Sequence, residues 1–191
     1  MTPRIAPLEP PYTKAVGEQL REMMPPGVTP LGLFRTLVKN LPMTRAMRVW
    51  GGYELGGGLS LRPRDREIVI DRACGRCGAE YEWGVHVAFF AERVRLTAAQ
   101  VASLAGGDSG DPCWDDEGDR LLIDAVDQLH DTCDIDDRLW ARLRAVFDEA
   151  QLLDLMLLAG WYRAISYVAR AARVALEPGA PTFESVAGDR G

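Results

Sequence analysis

This chain is poor in the residues that do most protein chemistry near neutral pH. Its 191 residues hold two histidines, four cysteines and, against 20 arginines, two lysines. The N-terminus, Met1-Thr2-Pro3-Arg4-Ile5, has no apolar run, so no secretory signal is expected. Without export, four cysteines read as thiols and not as a disulfide framework. No long uncharged apolar run occurs either. The most apolar stretch, Leu152 to Leu176, is broken by Asp154, Arg163, Arg170 and Arg173, which excludes a simple membrane-spanning helix. A net charge of −6 argues against a general binder of nucleic acid or of acidic membrane. Alternating apolar and polar residues, the mark of a half-buried strand, are missing, and no internal repeat is evident. A cytoplasmic enzyme or binding protein is the expectation that remains.

What is present suits one soluble domain spanning 1–191, at 47% hydrophobic and 26% charged residues. Charge is segregated. Between Asp108 and Asp137 twelve acidic residues face Arg120 alone, a net of −11, which leaves the rest near +5. That segment lacks calcium-loop spacing and reads as a solvated face. Seven of the twelve prolines fall in the first 30 residues, and residues 1–11 read as an extended arm, packed on a neighbouring subunit or mobile.

Periodicity beyond the arm is helical. Helices are expected over Tyr12–Met24, Leu31–Asn40, Met43–Leu55, Leu61–Cys74 with Ser60 as N-cap, and from Glu80 onward. Thr97 and Gln100 form a capping box. Trp114–His130, Leu139–Phe147 (capped by Asp134 or Asp136) and a central helix from Ala150 to Leu176 complete an all-α, irregular bundle of about eight helices. Gly51 to Gly58 lacks the Lys-Ser/Thr of a phosphate loop and reads as a flexible connection. Trp161, Tyr162 and Tyr167 fit core positions, with Tyr162 able to line a pocket.

One stretch concentrates chemistry. Residues 66–86 read REIVIDRACGRCGAEYEWGVH. Glu67, Asp71 and Cys74 share one helix face, at spacings of four and three, and Glu82 and His86 share a face of the next. If these helices pack as an antiparallel pair, Glu67 meets His86. A carboxylate that orients an imidazole and raises its basicity makes a proton relay; the alternative is a structural ion pair. Cys74 and Cys77 form a Cys-x-x-Cys, read as a redox dithiol or as two inert, half-buried thiols. Zinc would need two more ligands. His86 offers one, and Cys113, His130 and Cys133 form no matching knuckle, so neither metal nor cofactor is expected.

Glu80-Tyr81-Glu82-Trp83-x-x-His86 resembles the carboxymuconolactone decarboxylase and alkylhydroperoxidase D superfamily. The resemblance extends through GVHVAFFAERVRLTAAQVASL, residues 84–104, and more loosely through LLDLMLLAGWYRAISYVARAARV, residues 152–174. It implies an all-helical fold and a homo-oligomer: dimer, trimer or hexamer. It also implies catalysis through Glu67 and His86, whose spacing matches the peroxidase branch. Where that branch carries its two cysteines, this chain has Ala79 and Glu82, and its own Cys74 and Cys77 lie upstream. The decarboxylase branch needs no cysteine.

Three functions follow as expectations. The first is thiol-dependent reduction of hydroperoxides, with Cys77 attacking, Cys74 resolving, His86 as base, Glu67 orienting it, Glu82 on the same face as His86, and a thiol reductant protein closing the cycle. The second is cofactor-free decarboxylation or ring chemistry on a small lactone acid, with His86 moving protons and Arg72 or Arg64 holding the substrate carboxylate. The third is a non-catalytic, oligomeric ligand-binding protein.

Overall fold

The structure is a computed structural model that describes residues 2–187; Met1 and residues 188–191 lie outside it. The protein is all-α, with no strand among the described residues. Its helices are α1 (Lys14–Glu22), α2 (Gly32–Leu37) running into a 3-10 turn (Val38–Asn40), α3 (Leu41–Glu54), α4 (Pro63–Arg76), α5 (Glu80–Phe90), α6 (Ala98–Gly106), α7 (Glu117–Thr132), α8 (Asp137–Val146), α9 (Glu149–Ala172) and α10 (Phe183–Ala187).

The organising helix is α4, not α9. Every residue from Asp65 to Cys74 is buried, and α5, α6, α7 and α9 pack around it. Ile68, Val69 and Ile70 are fully enclosed, each contributing about 1.5–3 kcal/mol of hydrophobic stabilisation. The charged residues of α4 survive burial because most have partners. Arg64 binds Asp119 at 2.8 Å, Arg72 binds Asp127 through two hydrogen bonds of 2.5 and 2.6 Å, and Asp65 accepts from Arg62. The acidic segment is therefore only partly a solvated face, since Asp119, Asp127 and Asp131 neutralise Arg64, Arg72 and Arg76 of α4. Gly75 lets α4 lie directly on α6: a Cβ there would collide with the Leu104 carbonyl oxygen.

Helix α9 is apolar and long enough to cross a membrane by composition, but half of that stretch is buried inside the fold. Leu152, Leu155, Leu158, Tyr162, Ile165 and Ala169 face inward, while Leu153, Leu157 and Tyr167 are exposed. It stops at Ala172, not Leu176, because Arg173 takes a left-handed cap at φ 55°. A second apolar cluster joins Leu33 and Leu37 to Tyr81 and Val85 of α5 and to Ile165 and Ala169 of α9. The α1–α3 unit thus sits over α5 and α9.

Several boundaries differ from the sequence reading. Ser60 does not cap α4, which starts at Pro63; its backbone N–H and hydroxyl both donate to Asp154, at 2.7 and 2.6 Å. Gly51 and Gly52 lie inside α3, so the first half of the glycine-rich connection is helical. The N-terminal segment is extended and bonded to its own chain, with the Arg4 N–H donating to the Ala172 carbonyl and the Leu8 N–H to the Arg35 carbonyl. The Thr97–Gln100 capping box forms, and Asp136 caps α8.

Candidate functional site

The turn between α4 and α5 sets the geometry of the site. Cys77 ends α4, Gly78 adopts φ 60°, which glycine takes at little cost, and the Ala79 N–H returns to the Cys74 carbonyl at 2.8 Å. This reversal lays α5 against α4 and brings residues 19 apart into contact. His86 Nδ1 meets Glu67 Oε2 at 2.8 Å, with both side chains buried. The other oxygen of Glu67 accepts from the Arg66 guanidinium at 2.6 Å. Arg66 in turn stacks over the Phe90 ring, 5.2 Å from its centroid. The Tyr162 ring meets His86 edge-on at 4.9 Å. Glu67 is therefore clamped between two cationic partners, and the ring plane of His86 is fixed.

With Nδ1 engaged, Nε2 is the working nitrogen. It faces Glu82 Oε1 at 3.7 Å, one helical turn back on α5. Both Glu82 and His86 line a cavity of about 660 Å³ at the seam between the α1–α3 unit and the α5–α9 pair. Its walls are mainly apolar: Leu33, Phe34, Leu37 and Met47 on one side, Phe89 and Trp161 on the other. Arg48 and Arg93 also line it. Arg48 pairs with Glu22 at 3.2 Å, whereas Arg93 lies near the Phe90 ring and forms no ion pair among the described residues. A void of this size and polarity suits a small, largely apolar organic molecule.

Acidic groups crowd the imidazole. Burial pushes Glu82 above the usual carboxylate range, with the His86 charge opposing it. Asp71 is driven well upward, first by burial and then by Glu67, and neither of its oxygens has a hydrogen-bond partner. Glu54, at the end of α3, is 1% exposed and its carboxyl is pushed up to about 8, chiefly by burial. Trp50 approaches closely enough to favour its charged form, but neither carboxyl oxygen has a partner in hydrogen-bonding geometry. For His86, burial acts against the charge, but the Glu67 carboxylate, its hydrogen bond, Glu82 and Asp71 together outweigh it. Its pKa lies above 6.5. The site can therefore hold a Glu67–His86 ion pair, with burial favouring the protonated forms of Asp71 and Glu54.

The structure brings together Glu67, Glu82 and His86, and it separates the cysteines from them. Cys77 does not reach His86 as sequence spacing suggested; its sulfur lies 3.9 Å from His130 Nδ1, on α7. Cys74 is fully buried between α4 and α9, where Ser166 Oγ approaches its sulfur at 4.0 Å. Burial, Glu82 and Asp71 hold its thiol well above 9, as the negative end of a helix would also favour. Neither thiol lines the cavity. Arg64 and Arg72 are committed to Asp119 and Asp127 and cannot hold a substrate in it. Arg66, Arg93 and Glu54 were not singled out from the sequence; the signal for Arg66 was its place beside Glu67 in the sequence. Among the described residues no group of three or more His, Cys, Asp or Glu side chains is arranged to hold a metal ion.

No protein-family model matches the sequence, and no curated protein does. Among solved structures, the chain is similar to an uncharacterized peroxidase-related protein from Silicibacter sp. TM1040, known from a crystal structure at 1.70 Å resolution. The two share 15% sequence identity, and the match covers 93% of each chain with a TM-score of 0.76. At that identity the likeness is one of fold.

Proposed function

We propose that this protein is an acid–base enzyme of the carboxymuconolactone decarboxylase-like kind, acting on a small, mostly apolar acid. The observation that carries this reading is that Glu82 and His86, 3.7 Å apart, line the apolar cavity together, while both nearby thiols lie outside its lining. Arg93, unpaired at the cavity wall, would take the substrate carboxylate. Glu82, its proton affinity raised by burial, would accept a proton from the carbon next to a carbonyl or lactone group. The Nε2–H of His86, charged and held by Glu67, would donate to the oxygen where negative charge develops, and would protonate the enolate left by a decarboxylation. These steps use no cofactor. Residues 67, 82 and 86 are the catalytic set, and Arg66 is a positioning residue for Glu67.

Turnover of a panel of small lactone acids and 2-oxo acids tests the reading. Activity should vanish in His86→Ala and Glu82→Gln and persist in the Cys74→Ser/Cys77→Ser double variant. Full activity in His86→Ala ends it. A bound small molecule with no turnover would favour a ligand-binding protein instead.

Thiol-dependent peroxide reduction is the second reading. It draws on the peroxidase-related description of the Silicibacter protein. It needs a thiol to enter the cavity and a reductant protein to restore it. Rapid hydroperoxide consumption that is lost in Cys74→Ser would favour it. Both readings go with a cytoplasmic homo-oligomer, in which the exposed Leu153, Leu157 and Tyr167 of α9 supply an apolar contact face.

A further inference from the structure

The thiol that sequence spacing assigned to the cavity has a base of its own on another face. Cys77 is half-buried at the end of α4, with His130 Nδ1 3.9 Å from its sulfur. The two backbones are held from the same neighbouring helix: Arg170 donates to the Cys77 carbonyl at 2.6 Å, and Arg163 donates to the His130 carbonyl at 2.9 Å. One helical turn beyond His130 stands Cys133, exposed, as the left-handed C-cap of α7 at φ 60°. The Arg163 guanidinium is within electrostatic range of both thiols. Burial, Arg163 and Arg76 lower the His130 pKa from its ordinary value, outweighing Asp131 and Asp127, which favours the neutral ring that can accept a proton. His130, Cys77 and Cys133 are absent from the cavity wall, and nothing in the proposed acid–base chemistry uses them.

We propose that Cys77, His130 and Cys133 form a thiol–disulfide exchange site, separate from the cavity, that takes small soluble disulfides as its oxidant. His130 accepts the Cys77 proton. The Cys77 thiolate attacks one sulfur of the small disulfide, forming a mixed disulfide and releasing one small thiolate, which the His130 imidazolium protonates. Cys133 gives its proton to solvent, and its thiolate attacks the Cys77 sulfur of the mixed disulfide, expelling the second small thiolate, which takes up a proton from solvent. The products are a Cys77–Cys133 disulfide and a second small thiol. Two protein thiols are oxidised and one small disulfide is reduced to two thiols, so protons and electrons balance. Cys74, fully buried, and Cys113, far along the chain from His130, take no part.

The test uses the full chain, reduced and then exposed to oxidised glutathione, with thiols alkylated at intervals and peptides identified by mass spectrometry. The expected product is a Cys77–Cys133 disulfide, formed faster than any modification of Cys113. His130→Gln should slow it by roughly a hundredfold or more. Cys133→Ser, a change at an exposed position, should stop the reaction at glutathione bound to Cys77. His86→Ala should leave the rate unchanged, which separates this site from the cavity. A Cys77 that stays reduced, that reacts no faster than Cys113, that pairs with Cys74, or that ignores His130→Gln would overturn the proposal.

Discussion

Glu67→Gln probes the organisation of the site more sharply than any other single substitution. Glu67 is fully buried and holds two partners, His86 at 2.8 Å and Arg66 at 2.6 Å. Glutamine keeps the shape and one acceptor oxygen but removes the charge, leaving Arg66, whose side chain is 10% exposed, without its counter-ion. Breaking a buried pair from one side costs about 3–5 kcal/mol, and the retained acceptor puts this case near the lower figure. For a chain of this length, about 3 kcal/mol corresponds to a fall in melting temperature of roughly 6–12 °C. The second effect is on His86. In the native protein burial opposes its charge and Glu67 leads the groups that outweigh it, so its pKa lies above 6.5. Its stabilising contribution is then complete below pH 6.5 and is lost as pH rises through the folded value. Without the Glu67 charge the balance shifts toward burial, and the His86 pKa falls from its native value. The pH-dependent stabilisation from His86 then shrinks, because it scales with the gap between the folded and unfolded pKa. NMR titration of ring resonances is a clean assay, because the chain has only two histidines and His130→Gln assigns them. An His86 that titrates at or below 6.5 in the native protein, or that is unmoved by Glu67→Gln, would refute the reasoning.

Other substitutions separate framework from chemistry. Glu54, raised to about 8 from 4.5, holds its proton in the fold and releases it when unfolded, so it costs stability progressively as pH rises from about 4.5 to about 8. Glu54→Gln should therefore gain stability over native protein across that window, as measured by urea midpoints at several pH values. Equal pH dependence in both proteins would contradict a buried, protonated Glu54. Arg72→Met should lose roughly 3–5 kcal/mol in urea unfolding, since it abandons Asp127 and the Gly107 carbonyl, while the titration of His86 stays unchanged. A near-neutral stability effect would mean that the bridge contributes little.

The Glu67–His86 contact was legible because a helix, a short glycine-containing turn and a second helix leave few ways to place residues 19 apart. Helical faces placed Glu82 with His86 for the same reason. The cysteines were not legible. Their spacing showed that they flank the turn, but not that Cys74 faces α9 while Cys77 faces α7, because rotation about the α4 axis depends on packing. The burial of α4 was hidden by its charges, which read as solvent-facing until Asp119, Asp127 and Asp131 are seen against them. The charge imbalance between the acidic segment and the rest was the available signal for that pairing. The end of α9 was missed because Arg173 takes a left-handed conformation that only glycine or asparagine advertises. Glu54 sits beside a glycine-rich run, and nothing local indicates that α3 buries it.

The most direct test of the central claim is solvent-proton exchange at the carbon beside the carbonyl of small apolar 2-oxo acids and lactone acids, followed by NMR in deuterium oxide. The protein should catalyse incorporation of deuterium, lose that ability in His86→Ala and Glu82→Gln, and retain it when both Cys74 and Cys77 are serine. Exchange that is indifferent to His86, or that disappears with the cysteines, would contradict a proton relay built from Glu67, His86 and Glu82.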